Sequence, residues 1–78
     1  MMQEMVLSKQ TMARRLKDLR AAKGKTIAEV SDETGIGETA LRNYECGLRV
    51  PRYVAMFKLA DYFGTTVDEI FFEPAGHI

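Results

Sequence analysis

Apolar residues recur at helical spacing in five short blocks, and glycine or proline closes each block. Met12, Leu16 and Leu19, with Ala13 beside them, give one apolar face to a helix over 9–23. Ser8 is its N-cap and Gly24 its stop. A second helix opens at a capping box in which Thr26 and Glu29 satisfy each other's backbone N–H groups. Its inward stripe is Ile27, Val30 and Thr34 with Ser31, and it ends at Gly35. Ile36 plugs the following turn. A third helix over about 38–46 turns Ala40, Leu41 and Tyr44 inward, with Gly37 as a weaker N-cap. Pro51 suits the start of a fourth helix, about 52–63, which is the most apolar block. Its Tyr53, Met56, Phe57, Leu59, Ala60 and Phe63 are expected to form the spine of the core, up to a stop at Gly64. Thr66 and Glu69 form a second capping box for a short fifth helix to about residue 72.

The ends are less regular. Residues 1–7, MMQEMVL, are apolar but short, and read either as a flexible arm or as a strand added in a dimer. Pro74-Ala75-Gly76 is expected to end order. The expected organisation is an arm over 1–8, one all-α domain over 9–73 and a disordered tail over 74–78.

Residues 26–47, TIAEVSDETGIGETALRNYECG, are the most informative stretch. They read as two short helices joined by a tight turn at Gly35, the second stopped by Gly47. Such a unit holds its second helix at a steep angle, able to enter the major groove of DNA.

Composition narrows the classes. With 78 residues and 46% hydrophobic content, the chain has room for one domain and one small core. No apolar run approaches the roughly 20 residues that span a bilayer, and no secretory pattern opens the chain, so a cytoplasmic protein is expected. Cys46 is the single cysteine, so no internal disulfide can staple the fold. It reads either as a redox sensor or as a small half-buried side chain at a helix end.

The formal net charge is zero, which counts against strong nonspecific binding to nucleic acid. Its distribution says more. Residues 9–25 are strongly basic, 26–46 acidic, 47–58 basic and the remainder acidic. Two basic segments therefore flank the turn motif, where phosphate contacts would be useful. Enzymatic readings find no equipment. His77 is the only histidine and has no ligand partners at metal spacing. There is no phosphate-binding glycine loop and no nucleophile elbow. No metal, cofactor or small-molecule ligand is expected.

Gly35-Ile36, Leu41, Tyr44-Glu45, Gly47, Pro51 and the run LADYFGTTVDEIF over 59–71 resemble the Cro/phage-repressor type of helix-turn-helix, the XRE family. The resemblance covers roughly 12–72. It implies a five-helix, lambda-repressor-like DNA-binding domain, with the motif formed by helices 2 and 3. It further implies a homodimeric transcriptional regulator, usually a repressor, on a palindromic double-stranded operator. Carried over by position, Glu38, Thr39, Arg42 and Asn43 would read bases. The chemistry of these side chains suits that role, since Asn pairs bidentately with adenine, Arg with guanine, and Glu accepts from cytosine. Arg14, Arg15, Tyr44, Arg49 and Arg52 would meet phosphates, with backbone N–H groups at the start of helix 2 adding to them. Arg20 and Glu45 match a buried salt bridge between helix 1 and the end of helix 3.

Two positions depart from the pattern. Ile27 stands where many relatives carry a Gln that approaches phosphate, and Glu38 puts a negative charge at the leading tip of helix 3. Together with the zero net charge, they favour an alternative, a protein-interaction module of the same fold, such as an antitoxin or adaptor. For a dimer contact, helix 5 with Phe71 and Phe72 and the apolar arm are candidates, although the same aromatics would also cap a core.

Overall fold

The computed structural model describes residues 4–74. In chain order it contains β1 (Met5–Leu7), α1 (Lys9–Lys23), α2 (Ile27–Thr34), α3 (Glu38–Glu45), α4 (Tyr53–Phe63), α5 (Val67–Phe71) and β2 (Phe72–Pro74). Residues 1–3 and 75–78, with His77 and most of the expected tail, lie outside the described residues.

Local signals set the helix ends. Ser8 accepts a hydrogen bond from the Thr11 N–H at the start of α1. The Thr26 hydroxyl accepts from the Glu29 N–H at 3.1 Å, while the Glu29 carboxylate accepts from the Thr26 N–H at 2.9 Å. The Thr26 N–H, with the Thr26 side chain second, holds the Glu29 carboxyl below its ordinary pKa. Thr66 caps α5 through the Glu69 N–H, but the expected second box is only half formed: the Glu69 carboxylate accepts from the Thr65 hydroxyl, at 3.1 Å, rather than from the Thr66 N–H.

One core gathers a stripe from every helix: Met12 and Leu16, Val30, Leu41 and Tyr44, Met56, Leu59 and Ala60, and Ile70 with Phe71. Phe71, Met12 and Leu59 are the largest of its fully buried side chains. Each such burial contributes about 1.5–3 kcal/mol, and no disulfide assists.

Three expectations need correction. First, α4 buries only one side. Met56, Leu59 and Ala60 are in the core, but Tyr53, Val54 and Phe57 are 71%, 67% and 62% exposed. At 3.6 residues per turn, positions 56, 59, 60 and 63 share a face, and a domain this small has no second layer to cover the flank beside it. Second, Phe71 is 1% exposed and Phe72 packs half-buried against the core, so helix 5 spends its aromatics internally. Third, residues 5–7 are not a free arm. They pair antiparallel with β2 in the register Met5↔Pro74, Val6↔Glu73 and Leu7↔Phe72. The fold is thus five helices closed by a two-stranded ribbon.

Candidate nucleic-acid interface

The turn between α2 and α3 is stitched by local bonds. Gly35 takes φ 79°, a left-handed conformation that a side chain would strain, and its N–H bonds the Ser31 carbonyl at 2.8 Å. Thr34 belongs to this turn more than to the apolar stripe. Its hydroxyl donates to the Val30 carbonyl at 2.7 Å and accepts from the Ile36 N–H at 3.2 Å. Ile36 is buried beneath.

α3 is then braced at both ends. Leu41 and Tyr44 sit in the core. At its C-terminal end the Arg20 guanidinium meets the Glu45 carboxylate fork to fork, Nε to Oε2 at 2.6 Å and Nη2 to Oε1 at 2.9 Å. Nη1 of Arg20 also donates to the Lys25 carbonyl at 3.0 Å, joining the α1–α2 loop to the same pair. The bond to Glu45 raises the Arg20 pKa against the cost of burial. Gly47, at φ 74°, lies against the Lys9 backbone: a Cβ there would sit 3.4 Å from the Lys9 carbonyl oxygen. The end of α3 thus abuts the start of α1.

Glu38, Thr39 and Arg42 are exposed along the outer side of α3, and Asn43 is half-buried beside them. They form two adjacent rows, Glu38 with Arg42 and Thr39 with Asn43. Nη2 of Arg42 donates to Oε1 of Glu38 at 3.2 Å. Arg49 and Arg52 are exposed after α3 and share a groove with Lys58, beside Tyr44 and Ile36. Lys58 closes the basic segment read in the sequence, but only packing of α4 against the motif sets it beside Ile36 and Tyr44.

The other named residues have different surroundings. Arg14 is exposed on α1, turned away from Met12 and Leu16. Nη1 of Arg15 is committed to the fold, donating to the Glu69 and Phe72 carbonyls, both at 2.9 Å, and so fixing the end of α5 and the start of β2. Tyr44 is 6% exposed and is a core residue. Ile27 packs half-buried against the core, which accounts for an apolar residue there. At the start of α2 the Thr26 and Glu29 N–H groups are taken by the capping box. No signal in the sequence separated Arg15 from Arg14; its carbonyl partners lie at the far end of the chain.

A second brace lies behind the motif. The Tyr62 hydroxyl donates to Glu33 at 2.5 Å, Lys25 pairs with Glu33 at 3.2 Å, and the Lys23 ammonium sits 4.8 Å from the Tyr62 ring centre. Burial first, and then Glu33, push the Tyr62 phenol up to about 12. The Tyr62 hydroxyl, followed by Lys25, holds the Glu33 carboxyl below its ordinary value. These contacts tie α4 to α2 and to the end of α1.

Among the described residues, no cluster of three or more His, Cys, Asp or Glu could hold a metal ion, and no helix is long and apolar enough to cross a membrane. Comparison with known proteins gives consistent relatives. The chain is 39% identical over 56 residues to the HTH-type transcriptional regulator AnsR of Bacillus subtilis, covering 72% of this chain and 48% of the relative. It is 38% identical over 56 residues to the cryptic phage CTXphi transcriptional repressor RstR of Vibrio cholerae, covering 72% and 50%. The chain therefore spans about half the length of the curated relatives it matches.

Among solved structures, the restriction-modification controller protein C.AhdI of Aeromonas hydrophila matches with TM-score 0.74 and 27% identity, over 81% of this chain and 96% of that one. A hypothetical transcription factor, NHTF, from Neisseria shares the fold at TM-score 0.75 and 17% identity, over 90% and 85%. The helix-turn-helix domain family matches residues 11–70, nearly the whole span from α1 through α5. The chain belongs to that helix-turn-helix domain family, in its Cro/phage-repressor form.

Proposed function

We propose that this protein is a cytoplasmic, sequence-specific regulator of transcription that binds double-stranded DNA as a homodimer and represses by occupying a promoter. The observation that carries this reading is the outer side of α3. Its polar residues Glu38, Thr39, Arg42 and Asn43 sit on a helix fixed from below by Leu41, Tyr44 and the Arg20–Glu45 fork. A helix braced in this way presents base-reading groups with little backbone ordering cost on docking. Arg49, Arg52 and Lys58 stand beside it as phosphate contacts, with Arg14 further out.

The homodimer rests on α4. Tyr53 and Phe57 stack with ring centres 6.3 Å apart, and with Val54 they form an exposed apolar face. Next to it is a shallow groove lined by Pro51, Met56 and Phe72. From ordinary side-chain areas the exposed patch is roughly 300 Å², within the range of the largest apolar patch on a monomer, which is often functional. The operator of such a dimer would be palindromic, with half-sites about 34 Å apart.

Glu38 on α3 and the exposed acids Glu29, Asp32 and Glu33 on α2 favour a second reading, a module that masks a protein partner. A salt titration of DNA binding by fluorescence anisotropy separates the two. With about six phosphates neutralised per dimer, log affinity falls against log salt with a slope of about −5. A slope near zero, or no binding at low salt, overturns the DNA reading in favour of the second.

A further inference from the structure

We infer that Glu38 is a specificity-determining residue that acts through Arg42, holding one edge of its guanidinium so that the other edge is aimed at a base. This rests on the DNA-binding reading above. The two side chains lie one turn apart on α3, joined Nη2 to Oε1 at 3.2 Å, and are 45% and 60% exposed. An ion pair so open to water adds little to folding. Among the described residues neither side chain bonds any other group, so nothing in the scaffold requires the pair.

The outer side of α3 therefore carries one acid and one base, and its tip is electrically balanced, while Arg49, Arg52 and Lys58 nearby carry unopposed positive charge. This division has a consequence for DNA. A guanidinium offers five N–H donors in a fixed plane. With one donor on Glu38, the remaining donors keep a fixed direction, which suits the paired O6 and N7 acceptors of guanine. The same bond keeps Arg42 from swinging to phosphate, a contact that carries no sequence information.

Entry into the groove displaces water and strengthens the attraction between the two charges. A base that cannot accept from Arg42 leaves desolvated donors unmatched. Sequence discrimination rises at the expense of general affinity.

The test uses the full chain as wild type, Glu38→Gln and Arg42→Gln, with selection from random DNA and a salt titration on a scrambled duplex. Glu38→Gln is expected to bind the scrambled duplex about tenfold more tightly. Its salt slope should steepen by about 1.8 per dimer, as each freed Arg42 takes a phosphate. It should also relax base preference at the position that Arg42→Gln relaxes. An unchanged scrambled-duplex affinity and slope overturn the inference. So does relaxation at a different position, which would make Glu38 a base reader in its own right. If the wild type selects no sequence, the DNA reading fails and takes the inference with it; if the wild type selects and Glu38→Gln changes nothing, the inference alone fails.

Discussion

Replacing Arg20 by alanine should remove a large part of the domain's stability. Glu45 is 9% exposed, and its carboxylate is matched to two donors of a single guanidinium. Removing that guanidinium leaves a mostly buried charge with no partner in the fold, and it also frees the Lys25 carbonyl. A fully buried survivor costs about 3–5 kcal/mol. The Arg20 side chain is 24% exposed, so water reaches part of the vacated space and lowers the cost to about 2–4 kcal/mol.

For a chain of this length, total stability is about 4–12 kcal/mol, so the loss is a large fraction of the whole. At about 4–8 °C per kcal/mol, the melting temperature should fall by roughly 8–32 °C. Circular dichroism melts and urea titration measure it directly. The double substitution Arg20→Met with Glu45→Leu should recover most of the loss, because no charge is left stranded. A fall of less than about 3 °C in the single variant would refute a structural role for the pair, and so would a double variant as weak as the single one.

Phe57→Asp places a charge in the middle of the exposed α4 face and replaces no core residue, so it should leave a folded monomer; a dimer persisting in sedimentation analysis would exclude this face. Tyr62→Phe should change the pH dependence of stability at both ends of the scale. The depressed Glu33 carboxyl contributes stability that is complete above about pH 4.5 and is lost as pH falls through its folded value, whereas the raised Tyr62 phenol contributes stability present below about pH 10 and lost as pH approaches 12. Wild type and Tyr62→Phe melting temperatures should therefore differ near neutrality and converge at both extremes; a difference constant from about pH 3 to about pH 11 would rule out this coupling.

What could be read in the sequence was what neighbouring residues decide. Gly24, Gly35 and Gly64 stop their helices in the left-handed conformation because a helix end is settled within one turn. The outward rows of α3 were legible for the same reason, since burial of Leu41 and Tyr44 fixes the rotation of an eight-residue helix. Apart from the Arg20–Glu45 pair, which the family resemblance supplied, what joined distant parts of the chain was not legible. Three residues of β1 have no period to detect, and their partner is at the opposite end of the sequence. Arg15 bonds carbonyls, which have no side-chain signature. Tyr53 and Phe57 look like core in a sequence, and only the limited depth of the domain puts them outside.

Selection of binding sites from random DNA by the wild type and by Thr39→Ala and Asn43→Ala variants tests the central claim most directly. The wild type should yield a two-fold symmetric site, and each variant should lose about 1–3 kcal/mol of discrimination at one symmetric pair of positions while remaining folded. Identical selected sites from all three proteins, or no enrichment from any, would contradict an α3 that reads DNA.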